Sequence, residues 1–130
     1  MAKDYVEKTK VDALAIAVGN AHGQYRFPPK LDFERIRTIA RTVDVPLVLH
    51  GGSGLADDDF RKAIKEGISK VNISTDINIA AADAAARTIS DGNKGITDAI
   101  PAMVEVVKNE TIKKIHLFSS NGMSPEYNRE

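Results

Sequence analysis

The 130-residue sequence has no cysteine and no tryptophan, and only 5% of its residues are aromatic. Without Cys there is no disulfide framework, no thiol nucleophile and no thiolate metal site, so any metal would need His, Asp or Glu. Charge of one sign is also lacking: 18 Lys and Arg balance 18 Asp and Glu, which removes a whole-chain attraction to nucleic acid or an anionic membrane. No segment approaches the roughly 20 apolar residues needed to cross a bilayer. The first ten residues, MAKDYVEKTK, have no apolar core of a secretory signal. The expectation is therefore a cytoplasmic protein with neither a nucleic-acid nor a membrane partner. At 42% hydrophobic and 28% charged, the chain has the make-up of an ordinary globular domain with a modest core.

What is present is an alternation. Residues 11–18, VDALAIAV, form a short apolar run ending at Gly19, the pattern of a parallel strand buried on both faces. Val45–Leu49 is a second run, stopping at His50, and Lys70–Ser74 a third, following Gly67. Between them, Phe33, Ile36, Ile39, Ala40 and Val43 follow a 3.6-residue period behind Asp32, a suitable N-cap. Asp57–Glu66 repeats the pattern with Phe60, Ala63 and Ile64 and ends at Gly67. An Ala-rich helix is expected over Asp76–Ser90, a further one over about 97–108 with Pro101 in its first turns, and a last amphipathic piece over 111–118. Strand–helix alternation of this kind specifies right-handed βαβ units and a parallel sheet. The domain is read as 1–118, with 119–130 a polar tail.

Polar residues crowd the strand ends. The first strand runs into Gly19-Asn20-Ala21-His22-Gly23, the second into His50-Gly51-Gly52-Ser53-Gly54, and the third contains Asn72, Ser74, Thr75 and Asp76. Parallel α/β folds bind ligands at the C-terminal ends of their strands, where the βα loops and helix N-termini converge. Gly51, Gly52 and Gly54 allow positive φ and a close backbone approach to an anion, and Ser53 adds a hydroxyl. Amides and hydroxyls from Asn72 to Thr75, at the start of the next helix, suit phosphate.

His22 and His50 sit at equivalent positions on adjacent strands, where neutral imidazoles can serve as zinc ligands or as buried polar groups satisfied by carbonyls. The other prominent residues have structural readings. His116 is a surface or packing residue, Asp57-Asp58-Asp59 caps a helix and complements its dipole, and Arg35, Arg37 and Arg41 make a solvated face. Tyr25 and Arg26 lie in a long loop, positioned for substrate or a neighbouring subunit.

Taken together, VDALAIAVGNAHGQY, KLDFERI, VPLVLHGGSG and KVNISTD resemble the class II ketose-bisphosphate aldolases over residues 3–118. The 28 positions from His22 to His50 and the 22 from His50 to Asn72 each suit one βα unit and a return strand. The resemblance implies an α/β fold, specifically the C-terminal portion (about three βα units) of a TIM (β/α)8 barrel. It also implies reversible aldol cleavage of fructose or tagatose bisphosphate to dihydroxyacetone phosphate and glyceraldehyde 3-phosphate. By position, His22 and His50 resemble two of three Zn²⁺ ligands. Gly23, Gly51, Gly52, Ser53, Asn72, Ile73, Ser74 and Thr75 resemble phosphate-binding positions. The Asn72 side chain resembles the one that contacts the ketone or enediolate oxygen. Zn²⁺ is the implied cofactor, acting as a Lewis acid at that oxygen, and a monovalent cation is a second candidate.

The family's Asp-His pair, which brings the proton-transfer carboxylate and the third zinc ligand, has no counterpart here, since no Asp-His dipeptide occurs in the sequence. A complete barrel needs about 250 residues. Three strands alone leave open edges and an uncovered sheet face. The expected partners are therefore a phosphorylated ketose or dihydroxyacetone phosphate, together with either a complementary N-terminal barrel fragment or further copies of this chain. The rival reading is a non-catalytic phosphosugar-binding or assembly module that keeps the Gly-rich grip.

Overall fold

A computed structural model of the chain describes residues 1–21, 29–92 and 95–123. The chain divides into two compact units, Met1–Ser74 and Thr75–Glu130.

The first unit is built on three parallel strands, β1 (Leu14–Ala15), β2 (Leu47–Leu49) and β3 (Ile68–Val71), in the order β1-β2-β3. Leu14 pairs with Leu47 and Ala15 with Val48. Leu47 pairs with Ile68, but Val48 pairs with Lys70, so Ser69 is an extra residue in β3. Side chains alternate across a strand. One face of the sheet therefore carries Leu14, Leu47 and Leu49, Ile68 and Val71, and the other carries Ala15, Val48 and Lys70. The first face is the structural core: Leu47 and Leu49 are buried together with Val18, Ile36, Phe60, Ala63 and Ile68. On the second face Ala15 and Lys70 are exposed, while Val48 on the central strand is buried.

The first strand departs from its expected burial. Only Val18 of residues 11–18 is buried, and Ala13, Ala15 and Ala17 are exposed. The cause is position: β1 lies at the sheet edge. The Leu14 and Ile16 N–H groups donate to the Pro46 and Val48 carbonyls (2.9 and 3.3 Å), which leaves the backbone groups of Ala13, Ala15 and Ala17 pointing away from β2. An open hollow of about 680 Å³ lies along this edge, with Tyr5, Val11, Ala13 and Ile39 in its walls.

Three helices belong to this unit: α1 (Ala2–Thr9), α2 (Phe33–Ala40) and α3 (Asp57–Lys65). The sequence pattern did not announce α1, which buries no residue. Asp32 caps α2 as expected, accepting the Arg35 N–H at 2.9 Å, and its own N–H donates to the Val18 carbonyl at 2.9 Å, tying the helix start to the end of the first strand segment. The N-cap of α3 is Ala56, so the acidic run 57–59 complements the dipole from inside the first turn without capping it.

Arg37 is more than part of a solvated face. Its Nε and Nη2 donate to Glu66 Oε2 and Oε1 at 2.6 and 2.8 Å, a two-point pair joining α2 to the C-cap of α3. The planar guanidinium matches a carboxylate in this way, and the pair is largely sheltered on the Glu66 side, which is 13% exposed.

The second unit is a pair of helices, α4 (Thr75–Ser90) and α5 (Ile96–Leu117). Lys114, near the end of α5, donates to Asp76 at the start of α4 at 3.0 Å, so the helices run antiparallel. Ala84 and Ala99 are the buried residues at their core, small enough to let the backbones approach. The expected break near 108–111 does not occur. Glu105 bonds to Asn109 and Lys108, and the Thr111 hydroxyl donates to the Val107 carbonyl, so polar contacts along the surface accompany one continuous helix. At the N-terminus of α5, the Gly95 N–H donates to the Asp98 carboxylate (2.9 Å), half of a capping box in which glycine has no side chain to return the bond. His116 is exposed on α5. Of the polar tail, residues 124–130 lie outside the described residues.

The hydrogen bonds from Arg37 hold the Glu66 carboxyl below its ordinary value of 4.5. A carboxyl lowered on folding contributes stability above its unfolded value and loses it as pH falls through the lower folded value. Glu66→Gln should lower the urea midpoint at pH 7, and its deficit against the parent should shrink as pH falls below 4.5. A deficit that stays constant from neutral to acid pH would contradict the role given to this pair.

Candidate active site

The extra residue Ser69 decides which side chains meet at the top of the sheet. With it in β3, Leu49 pairs with Val71, and one step further Asn72 comes beside His50. The Asn72 N–H donates to the Leu49 carbonyl at 3.0 Å, extending the ladder past the last paired residues. The Asn72 side-chain Nδ2 lies 3.1 and 3.2 Å from the two ring nitrogens of His50. His50 is itself exposed, directly after β2, at the C-terminal end where a parallel sheet presents its ligands.

Two residues that sequence reasoning left without a role join this pair. The Asn20 side-chain amide donates to the His50 carbonyl, tying the loop after β1 to the end of β2. The Lys70 ammonium donates to Asn72 Oδ1. Asn20 was visible among the polar residues of GNAHG, and Lys70 as the first residue of KVNIS. Neither spacing nor residue type shows that their side chains converge, because that depends on the register of three strands.

The turn after His50 is tightly packed. Gly51 has φ +62° and Gly54 has φ +85°, both in the region that favours glycine. Gly52 does not share that conformation, and its need for glycine is space: a Cβ there would lie 3.0 Å from both Phe60 Cε1 and Ile73 Cδ1. This is a correction to the conformational role expected of all three glycines. Ser53 is 6% exposed, the one buried polar residue among those described. An open hollow of about 440 Å³ lies beside the turn, lined by Ala15, Ile16, Ala17, Asn20, Ala21 and His50.

Of the residues expected to form the site, His50, Gly51, Gly52, Ser53, Asn72, Ile73 and Ser74 all lie in the first unit, on the segments that follow β2 and β3. Ser74 is exposed and ends that unit; Thr75 is the first residue of α4, in the second unit. His22 and Gly23 lie outside the described residues, as do Tyr25 and Arg26. Among the described residues no group of three or more His, Cys, Asp or Glu is placed to hold a metal ion. The described donor set is one imidazole. A catalytic zinc ordinarily takes three protein ligands, and adding His22 from the sequence brings the count to two. The described residues therefore do not fit a complete zinc site. No described helix is long and apolar enough to cross a membrane.

The sequence profile of the family described as fructose-bisphosphate aldolase class-II matches residues 1–123. The chain belongs to that family. Its fold matches the YdjI aldolase from Escherichia coli K12 with a TM-score of 0.83 and 36% identity, over 95% of this chain and 45% of that one. A proposed fructose-1,6-bisphosphate aldolase from Coccidioides immitis matches with a TM-score of 0.84 and 27% identity, over 93% of this chain and 42% of the other. At 20% identity and a TM-score of 0.67, the fructose-bisphosphate aldolase from Campylobacter jejuni shares the fold over 91% of this chain and 44% of its own. The chain thus spans under half the length of these aldolases. Its parallel strands and helices are part of an aldolase barrel, within a family of lyases.

The tight turn generates a stability prediction. Gly52→Ala should destabilise the chain by about 1–3 kcal/mol through overpacking against Phe60 and Ile73, and Gly51→Ala by roughly 1–2 kcal/mol through its left-handed backbone. Chemical denaturation of the two variants checks this; unchanged midpoints would mean that the turn relaxes freely.

Proposed function

We propose that this chain carries the phosphate-binding and ketone-contacting part of a class II ketose-bisphosphate aldolase. The reaction is the reversible cleavage of fructose or tagatose bisphosphate to dihydroxyacetone phosphate and glyceraldehyde 3-phosphate. The observation that carries the reading is the meeting of Asn72 with His50 beside the buried Ser53 turn, at the C-terminal ends of adjacent parallel strands.

In this reading the backbone of Gly51, Gly52 and Ser53, with the Ser53 hydroxyl, the backbone of Ile73 and Ser74 and the Ser74 hydroxyl, holds the phosphate of the dihydroxyacetone phosphate half. Gly23, and Thr75 at the start of α4, complete the set implied by the family pattern. Fixed donors of this kind supply orientation, a large share of the work when a carbon acid must meet its base in one geometry. The two N–H groups of Asn72 Nδ2 are donors for the ketone oxygen and for the charge that grows on it. Zinc dependence is a requirement on the complete barrel. His50 and His22 supply two ligands, and the third, together with the proton-transfer carboxylate, comes from a part that brings an Asp-His pair. That part is a complementary portion of the barrel, on the same polypeptide or another; a homo-oligomer, the alternative arrangement, would cover the sheet edges but bring no Asp-His pair. A monovalent cation is a further candidate cofactor, and the cytoplasm is the compartment proposed.

Isothermal titration of the 130-residue chain should show binding of dihydroxyacetone phosphate and of inorganic phosphate. Ser53→Ala should weaken both by about tenfold, the size of one hydrogen bond to a charged group. Unchanged affinities in that variant would remove the phosphate assignment. His50→Ala should spare inorganic phosphate and abolish zinc retention once a complementary Asp-His part is supplied. Phosphate binding that stays indifferent to zinc in the reconstituted protein would favour the non-catalytic module.

A further inference from the structure

Lys70 and Asn72 are two residues apart at the end of β3, so their side chains emerge on the same face of the sheet, opposite the helix-covered core. Ser69 puts Lys70 in the row of Val48 and Ala15, one row below His50. From there its ammonium reaches up to Asn72 Oδ1. An ammonium carries three donors and no acceptor, so the end of the amide that it meets has to be the oxygen. The other end, Nδ2, is thereby turned toward the imidazole of His50, 3.1 and 3.2 Å from its ring nitrogens.

We propose that Lys70 is a positioning residue that fixes the rotational state of the Asn72 amide, so that the site presents N–H donors, and not a carbonyl, to the substrate oxygen. A side-chain amide free to rotate offers donor and acceptor ends almost equally, and an acceptor facing a developing oxyanion repels it. Anchoring Oδ1 to a fixed cation removes that half of the population before substrate arrives. In this arrangement Lys70 acts through Asn72. Its exposed position also fits, because a lysine lying along the open sheet face contributes little to the core. The step from amide orientation to substrate rests on the aldolase reading; the orientation itself does not.

The test separates the two. In the 130-residue chain, nuclear Overhauser contacts between the Asn72 side-chain amide protons and the His50 ring protons should be present, absent in Lys70→Met and kept in Lys70→Arg. Contacts missing from the parent, or surviving in Lys70→Met, overturn the proposal. In binding measurements, Lys70→Met should cost about tenfold in affinity for dihydroxyacetone phosphate, one charge-assisted hydrogen bond's worth of ordering, and leave inorganic phosphate unaffected, with Lys70→Arg restoring the loss. A preference for dihydroxyacetone phosphate over inorganic phosphate that survives in Lys70→Met also overturns it. If the parent shows no such preference while the amide contacts behave as expected, the aldolase reading fails and the role of Lys70 in orienting the amide stands.

Discussion

The slip of one residue between β2 and β3 is the constraint on which the site depends. Up to Leu47 and Ile68 the strands pair in simple register, and after Ser69 they pair one position on. Because side chains alternate, an uninterrupted ladder would bring Val71 beside His50 and send Asn72 one step beyond it. The extra residue instead aligns Leu49 with Val71 on the apolar face and His50 with Asn72 on the other. Bulges of this kind are common next to active sites because they re-aim side chains at the cost of one ladder hydrogen bond. Here a single slip serves both faces, keeping the core row apolar and the upper row polar.

The two faces of the sheet divide the tasks. The covered face, on which Leu47 and Leu49 are buried along with Phe60 and Ile36 of the flanking helices, supplies most of the apolar burial of the first unit. The open face has Ala15, Val48 and Lys70 in one row and His50 with Asn72 above it. Apart from the buried Val48, this face carries small and polar side chains. The chain matches under half the length of the solved aldolases it resembles.

The division extends to the chemistry. The segments after β2 and β3 concentrate groups that bind and orient: a backbone turn pressed against Phe60 and Ile73, a buried serine, and an asparagine held between a lysine and a histidine. Among the described residues they hold no group of three or more His, Cys, Asp or Glu placed for a metal ion. Binding groups on one part of a barrel and acid–base groups on another are compatible with parallel α/β architecture, because all strand ends open at the same rim.

By itself the sequence determined the strand–helix alternation from β1 to α4, the Asp32 cap and the Gly67 stop, and the family. Asp32 before a 3.6-residue stripe and Gly67 after one act locally, through backbone geometry that a few neighbours set. The Gly-rich turn and the two strand-end motifs were legible for the same reason. Tertiary structure decided the rest. Edge position, and not composition, left Ala13, Ala15 and Ala17 exposed in a run that reads as buried. Arg37 found Glu66 because two helices pack side by side, 29 positions apart in the chain. Lys70 and Asn20 joined the site only once the strands were in register, since the partner of a strand residue is chosen by ladder alignment across the sheet, and no local pattern encodes a slip of one.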